Sequence, residues 1–163
     1  MGAQASTAAN FFEKALAWAA ILLAVMVAAA LVLGRAEWAA IPPAIWLHIA
    51  SLSVALVLTP VLLLSRRGNR RHRVLGWIWS IAMLITALDS LAVRVINPGH
   101  FSVIHILSVV VIITVPLLVW RARSHNIAAH RRGVRIIVTA GIIGAGFYAF
   151  PASRLLGHWL FGG

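Results

Sequence analysis

The chain has no cysteine in its 163 residues. That removes disulfides, thiolate metal sites, iron–sulfur clusters and covalently attached c-type haem, which needs Cys-x-x-Cys-His. Any metal must be held by nitrogen or oxygen, and histidine is the obvious supply. Acid is almost as scarce. Glu13, Glu37 and Asp89 stand against 14 Lys+Arg, of which only Lys14 is lysine, for a net charge of +11. Charged residues make up 10% of the chain, where a soluble domain carries roughly a quarter. With 62% hydrophobic residues and a mean hydropathy of +0.97, the composition is that of an integral membrane protein. In a soluble protein this charge balance would suggest nucleic acid. Here most arginines fall in two short stretches between apolar runs, so topology and lipid headgroups account for them and nucleic acid is not an expected partner.

The apolar runs set the architecture. Ala15 to Leu33 carries no charge, long enough for the ~30 Å hydrocarbon core. It is too long for a signal-peptide core and lacks a basic n-region beyond Lys14, so it reads as a retained helix. Residues 1–14 form an N-terminal segment, of which 1–13 read as small, polar and at the surface. Four further spans are expected at about 43–64, 74–93, 101–120 and 134–151. Pro42-Pro43 opens the second, since proline suits a first helical turn. Asn97-Pro98-Gly99 turns between the third and fourth, and Pro151 closes the fifth. The expectation is an all-α membrane protein of one domain, 1–163, with five transmembrane helices and a short tail, 152–163.

Loop charge gives an orientation. Arg66, Arg67, Arg70, Arg71 and Arg73 lie in 65–73, and Arg121, Arg123, Arg131, Arg132 and Arg135 in 121–135. The opposite connections hold only Arg35 and Arg94, and the tail Arg154. The positive-inside rule then predicts a multi-pass protein of a bacterial inner (cell) membrane, N-terminus cytoplasmic and C-terminus periplasmic. Trp38, Trp46 and Trp159 fall near the outer boundary, and Trp77, Trp79 and Trp120 near the inner, as interfacial belts do.

The central stretch of the chain occurs twice, at 46–76 and 103–134. Each copy opens with a histidine in an apolar run, His48 or His105. A proline follows at +12 or +11, Pro60 or Pro116, then an arginine-rich patch and a His-Arg pair, His72-Arg73 or His130-Arg131. Both copies run in the same direction, and parallel repeats of this kind are commonly related by a pseudo-twofold axis along the membrane normal. Helices two to five then form a four-helix bundle of two repeated hairpins. His48 and His105 share one depth and His72 and His130 another, roughly 25 Å apart at 1.5 Å per residue. Two histidine pairs in such a bundle suit one or two b-type haems with bis-imidazole ligation, coordinatively closed and fitted to electron transfer.

Several neighbours suit a haem. Gly76 and Gly133 follow the inner histidines, and Gly141, Gly144 and Gly146 let a helix or a flat ring approach closely. Arg73, Arg131, Arg132 and Arg135 could pair with propionates at the inner layer, Arg94 and Arg154 at the outer. The alternative stays open beside it: an intramembrane histidine can hydrogen-bond to a neighbouring helix or serve another metal. Asp89 is the one acid within a span, able to serve a proton or a quinol hydroxyl, or to pair with Arg94. His100, His125 and His158 read as ordinary surface histidines.

Phe101-Ser102-Val103-Ile104-His105, Ala129-His130-Arg131, His72-Arg73-x-x-Gly76 and Pro151-Ala152-Ser153-Arg154-Leu155-Leu156-Gly157 resemble motifs of a bacterial membrane-protein family, domain of unknown function 2306. The resemblance runs from His48 to the end and brings no established activity. In layout the chain also resembles cytochrome b561-type proteins, with four core helices and paired histidines at two depths. That likeness implies His48 with His105 and His72 with His130 as haem pairs. The functional expectation is a haem b protein moving electrons between a quinol or small reductant and an acceptor. Its rival is a cofactor-free structural or assembly subunit of a larger membrane complex or homo-oligomer.

Overall fold

A computed structural model describes residues 9–92 and 103–162, with side chains in the fourth helix from His105 onward. The described residues are helical throughout, with turns between. Helix α1 spans Phe11–Leu33, and a 3-10 turn, Gly34–Ala40, extends it. Helices α2 (Pro43–Leu64), α3 (Arg70–Ala92) and α4 (Val103–Arg123) follow. A fifth helical run is α5 (Ile127–Ile137), a π-helical segment (Val138–Gly144) and α6 (Ala145–Tyr148). Helix α7 (Leu155–Phe161) ends the described chain. Four of these, Phe11–Ala40, Pro43–Leu64, Arg70–Ala92 and His105–Arg123, are long and apolar enough to cross a membrane. The expected fifth span, 134–151, is helical as far as Tyr148, with a π segment at Val138–Gly144 and a single basic residue, Arg135.

Local chemistry explains the boundaries, including those misplaced from sequence. Helix α1 starts at Phe11 rather than Ala15, because Asn10 and Glu13 close a capping box: Glu13 N donates to Asn10 Oδ1 at 2.9 Å and Asn10 N to Glu13 Oε2 at 3.1 Å. Neither basic stretch is loop throughout: 70–73 of the first, and all of the second except 124–126, are helical. Asn69 Oδ1 accepts from His72 N at 2.7 Å, and Asn126 Oδ1 accepts from Ala129 N at 3.1 Å, so each asparagine caps a helix that already contains its His-Arg pair. The turns that remain are short, with Gly68 and His125 in the left-handed region at φ of 80° and 58°. Arg94, His100 and the Asn97-Pro98-Gly99 turn lie outside the described residues.

Contacts run from α1 to α2, α2 to α3, α3 to α4, α4 to α5 and the π segment, and from the π segment back to α1. Helix α1 is therefore wedged between α2 and the π segment rather than standing outside a bundle of the later helices. Close approach there needs Gly146, where any Cβ would press on Leu23 of α1, and Gly133, where it would overlap Leu118 of α4. These two glycines serve helix against helix.

The short α2–α3 turn fixes the register of that pair. Residues at equal distance from Gly68–Asn69, or within one of it, meet: His48 with Asp89, Ser51 with Thr86, and Thr59 with Trp79. Ser51 Oγ and Thr86 Oγ1 lie 2.8 Å apart, and Trp79 Nε1 donates to Thr59 Oγ1 at 3.0 Å. Trp79 is thus a core residue, not part of an interfacial belt, and Trp159 is likewise buried, its ring seated on Gly34. Replacing Thr59 with valine keeps the volume and strands the Trp79 N–H. The expected cost is about 1 kcal/mol, since polar contacts between membrane helices average ~0.6 and reach ~1.7. A chemical denaturation midpoint equal to the parent's would show that the bond contributes nothing.

Candidate functional site

A cavity of about 250 Å³ lies between α2, α3, α4 and the π segment, with Arg154, Leu155 and Leu156 across its end. Its walls are largely aliphatic. The polar side chains on it are His48, Thr86, Ser90, Ser108, Tyr148 and Arg154. Helix α7 folds back as the roof because Trp159 packs on Gly34 and its Nε1 donates to Glu37 Oε2 at 3.1 Å. His158, expected at the surface, is half-exposed and stands 3.6 Å from Glu37 Oε1. Arg154 donates to the Tyr148 hydroxyl at 2.8 Å, and its guanidinium carbon is 4.8 Å from that ring's centroid.

His48 and Asp89 meet beside the cavity. His48 Nδ1 is 3.4 Å from Asp89 Oδ2, close enough to attract but longer than a good hydrogen bond. Both atoms are buried, and neither has a hydrogen-bond partner among the described residues. Because Nδ1 is turned toward the carboxylate while the ring lines the cavity, Nε2 is the nitrogen left to meet a ligand. An orphaned buried pair of this kind calls for a physical reason. The rung below it supports the geometry: Thr86 Oγ1 donates to Ala82 O at 2.9 Å and can accept from Ser51 Oγ at 2.8 Å, with the His48 carbonyl 3.2 Å from that Ser51 hydroxyl.

His105 is buried, 4% exposed, on the α4 stripe that continues through Ser108, Val111, Val115 and Leu118. Trp77 and Trp120 line one groove between α3 and α4. Counting back along the antiparallel pair from them sets His105 level with the end of α3, within about one turn of Asp89.

The opposite end of the bundle is the arginine end. Glu13 is only 2% exposed there. Arg131 reaches both of its oxygens, Nη2 at 3.0 and 2.9 Å and Nε at 3.2 Å. Arg135 donates to Oε1 at 3.2 and 3.3 Å, and Arg67 to Oε2 at 2.7 Å. One carboxylate thus joins α1, the α2–α3 turn and α5. A surface position for Glu13 is corrected by this. Neither the cap nor the cluster is among the sequence expectations: the Asn10-x-x-Glu13 pattern could have marked the helix start, and no sequence signal points to the arginines.

His72 and His130 are within electrostatic reach of one another, with Arg67 also acting on His72. His130 Nδ1 lies 3.0 Å from the Leu118 carbonyl. The His72 Nδ1 is buried and has no hydrogen-bond partner among the described residues. The two arginines of the His-Arg pairs differ: Arg131 is committed to Glu13, while Arg73 faces outward. Among the described residues, no group of three or more histidine, aspartate and glutamate side chains gathers as a metal site. No family model, curated protein or solved structure matches the chain.

Proposed function

We propose that the chain is a b-type haem protein of the membrane, passing single electrons between a quinol or small reductant and an acceptor, with its haem between His48 and His105. Under this reading the fifth helical run completes five spans, and the arginine end faces the cytoplasm. The observation that carries it is the orientation of His48. Metal-ligating histidines turn their second ring nitrogen to a carboxylate or backbone carbonyl, which fixes the tautomer and raises the basicity of the ligating atom. His48 Nδ1 is turned toward Asp89 at 3.4 Å, the direction that arrangement uses though not yet its hydrogen bond, and His48 borders the cavity. Arg154 is the cation there for a propionate. A bis-imidazole haem would supply reversible one-electron chemistry at this place. His48 lines the cavity, whereas His105 lies on α4 three residues before Ser108, which does, so the second imidazole must turn in for both to meet one group. The volume of about 250 Å³ is below the ~300–1,000 Å³ of ligand pockets, so the α7 roof must give for a macrocycle to enter.

His72 and His130 are the candidates for a second haem, and the His130 Nδ1 contact with Leu118 O has the same orienting form. One observation favours the cofactor-free alternative. The Glu13 cluster knits three parts of the chain with protein groups alone, as a packing or assembly subunit would require.

The test is the visible spectrum of protein purified in mild detergent after expression with haem supplied, oxidised and then dithionite-reduced. A Soret band with sharp reduced α and β bands is expected, and a pyridine haemochrome assay counts the haem. His48→Ala and His105→Ala each remove the outer equivalent, whereas His72→Ala removes haem only if a second is bound. A colourless protein sinks the electron-transfer reading and leaves the assembly subunit.

A further inference from the structure

The groove between α3 and α4 opens outward at the arginine end, away from the cavity, and has a volume of about 390 Å³. Its walls are Trp77 and Trp120, both half or more exposed, and its floor includes Ser80, Val115 and Pro116. Ser80 Oγ donates to Gly76 O at 2.8 Å, so the floor offers no unmet polar group. Arg123 stands at one end of the groove, one turn beyond Trp120. On α3, Arg73 precedes Trp77 by four residues and so shares its face. Both guanidiniums are exposed, and neither forms an ion pair among the described residues.

The chain has no acid left to neutralise them. Glu13 is enclosed by Arg67, Arg131 and Arg135, while Glu37 and Asp89 lie with His158 and His48. An apolar slot in a membrane-facing surface fills with acyl chain in any case. Two uncompensated guanidiniums beyond a pair of interfacial indoles add a demand for negative charge at headgroup depth, where basic pockets between helices bind anionic lipid. We propose that this groove is a binding site for one anionic glycerophospholipid, its acyl chain between Trp77 and Trp120 and its phosphodiester on Arg73 and Arg123. The site is independent of any haem. It gives Arg73, the outward-facing member of the two His-Arg pairs, a ligand of its own.

The experiment uses the full chain, delipidated in mild detergent. Phosphatidylglycerol, phosphatidylcholine or inorganic phosphate is then added, with bound lipid counted by native mass spectrometry and stability read by thermal unfolding. One phosphatidylglycerol is expected to be retained and to raise the unfolding temperature, with phosphatidylcholine and phosphate far weaker. The double variant Arg73→Gln/Arg123→Gln alters only exposed side chains and should weaken phosphatidylglycerol about 30-fold, the worth of two basic groups near anionic lipid. Val119→Trp, which fills the slot, should abolish retention while leaving both arginines. Equal binding of the two lipids, equal stabilisation by phosphate, or an unchanged affinity in the double variant would each overturn the site.

Discussion

Glu13→Gln lowers the stability of the helix bundle by about 3 kcal/mol, measured as unfolding free energy in detergent. The substitution keeps the size and one acceptor oxygen but removes the charge. What is left is three guanidiniums, Arg67, Arg131 and Arg135, converging where a carboxylate had held them. Breaking a buried ion pair from one side costs ~3–5 kcal/mol, because the stranded charge is the expensive part. The lower end applies because the arginines keep some solvent, Arg135 being 34% exposed. Each single Arg→Ala variant should cost less, since two partners remain on the carboxylate. Restoring part of the loss by combining Glu13→Gln with Arg131→Ala would show that stranded positive charge is the cause. A Glu13→Gln protein as stable as the parent would mean that α1 is held by packing alone.

Gly157→Ala should detach α7 from the end of the bundle. A Cβ at this position would overlap the backbone carbonyl oxygens of Phe150 and Pro151. Overpacking against side chains costs ~1–3 kcal/mol, and here nothing can rotate aside, so the cost exceeds that range. Helix α7 spans Leu155–Phe161 at the end of the described chain, so the cheapest relief is local release rather than global unfolding. Trp159, buried on Gly34, would be exposed and its bond to Glu37 lost. Faster amide exchange across 155–161 and a red-shifted tryptophan emission are the expected readouts. Parent-like protection there would show that the Phe150–Pro151 turn can move without losing the roof. Because Arg154, Leu155 and Leu156 cover the cavity, the same variant should also hold any bound cofactor less firmly.

Some positions were legible before any tertiary structure. Helix α2 begins at Pro43 and ends at Leu64, as its proline and the following arginines indicate. The interior His48, Asp89 and His105 stand out in the sequence as polar groups within apolar runs, and the structure brings His48 and Asp89 together. The sequence leaves Asp89 open to a proton or quinol role or to a pairing with Arg94. The partner across the hairpin follows only once the Gly68–Asn69 turn is known to be tight enough to fix the register. From sequence the basic stretches read as loops, because charge density marks the end of a span. It does not mark the end of a helix, which Asn69 and Asn126 determine by capping.

The sequence by itself determined the class. Long apolar runs, scarce acid, absent cysteine and clustered arginine leave an all-helical chain with helices long and apolar enough to cross a membrane. Which side of each helix faces inward belonged to the tertiary structure. Trp77 and Trp79, two residues apart on α3, point to nearly opposite sides, one outward and one into the core. Lipid tails are as apolar as leucine, so such a helix shows no polar face from which its inner side could be read. The meeting of Glu13 with arginines 54, 118 and 122 residues away was decided there too. A single carboxylate carries no periodicity, and only packing α1 between α2 and the π segment brings it beneath them.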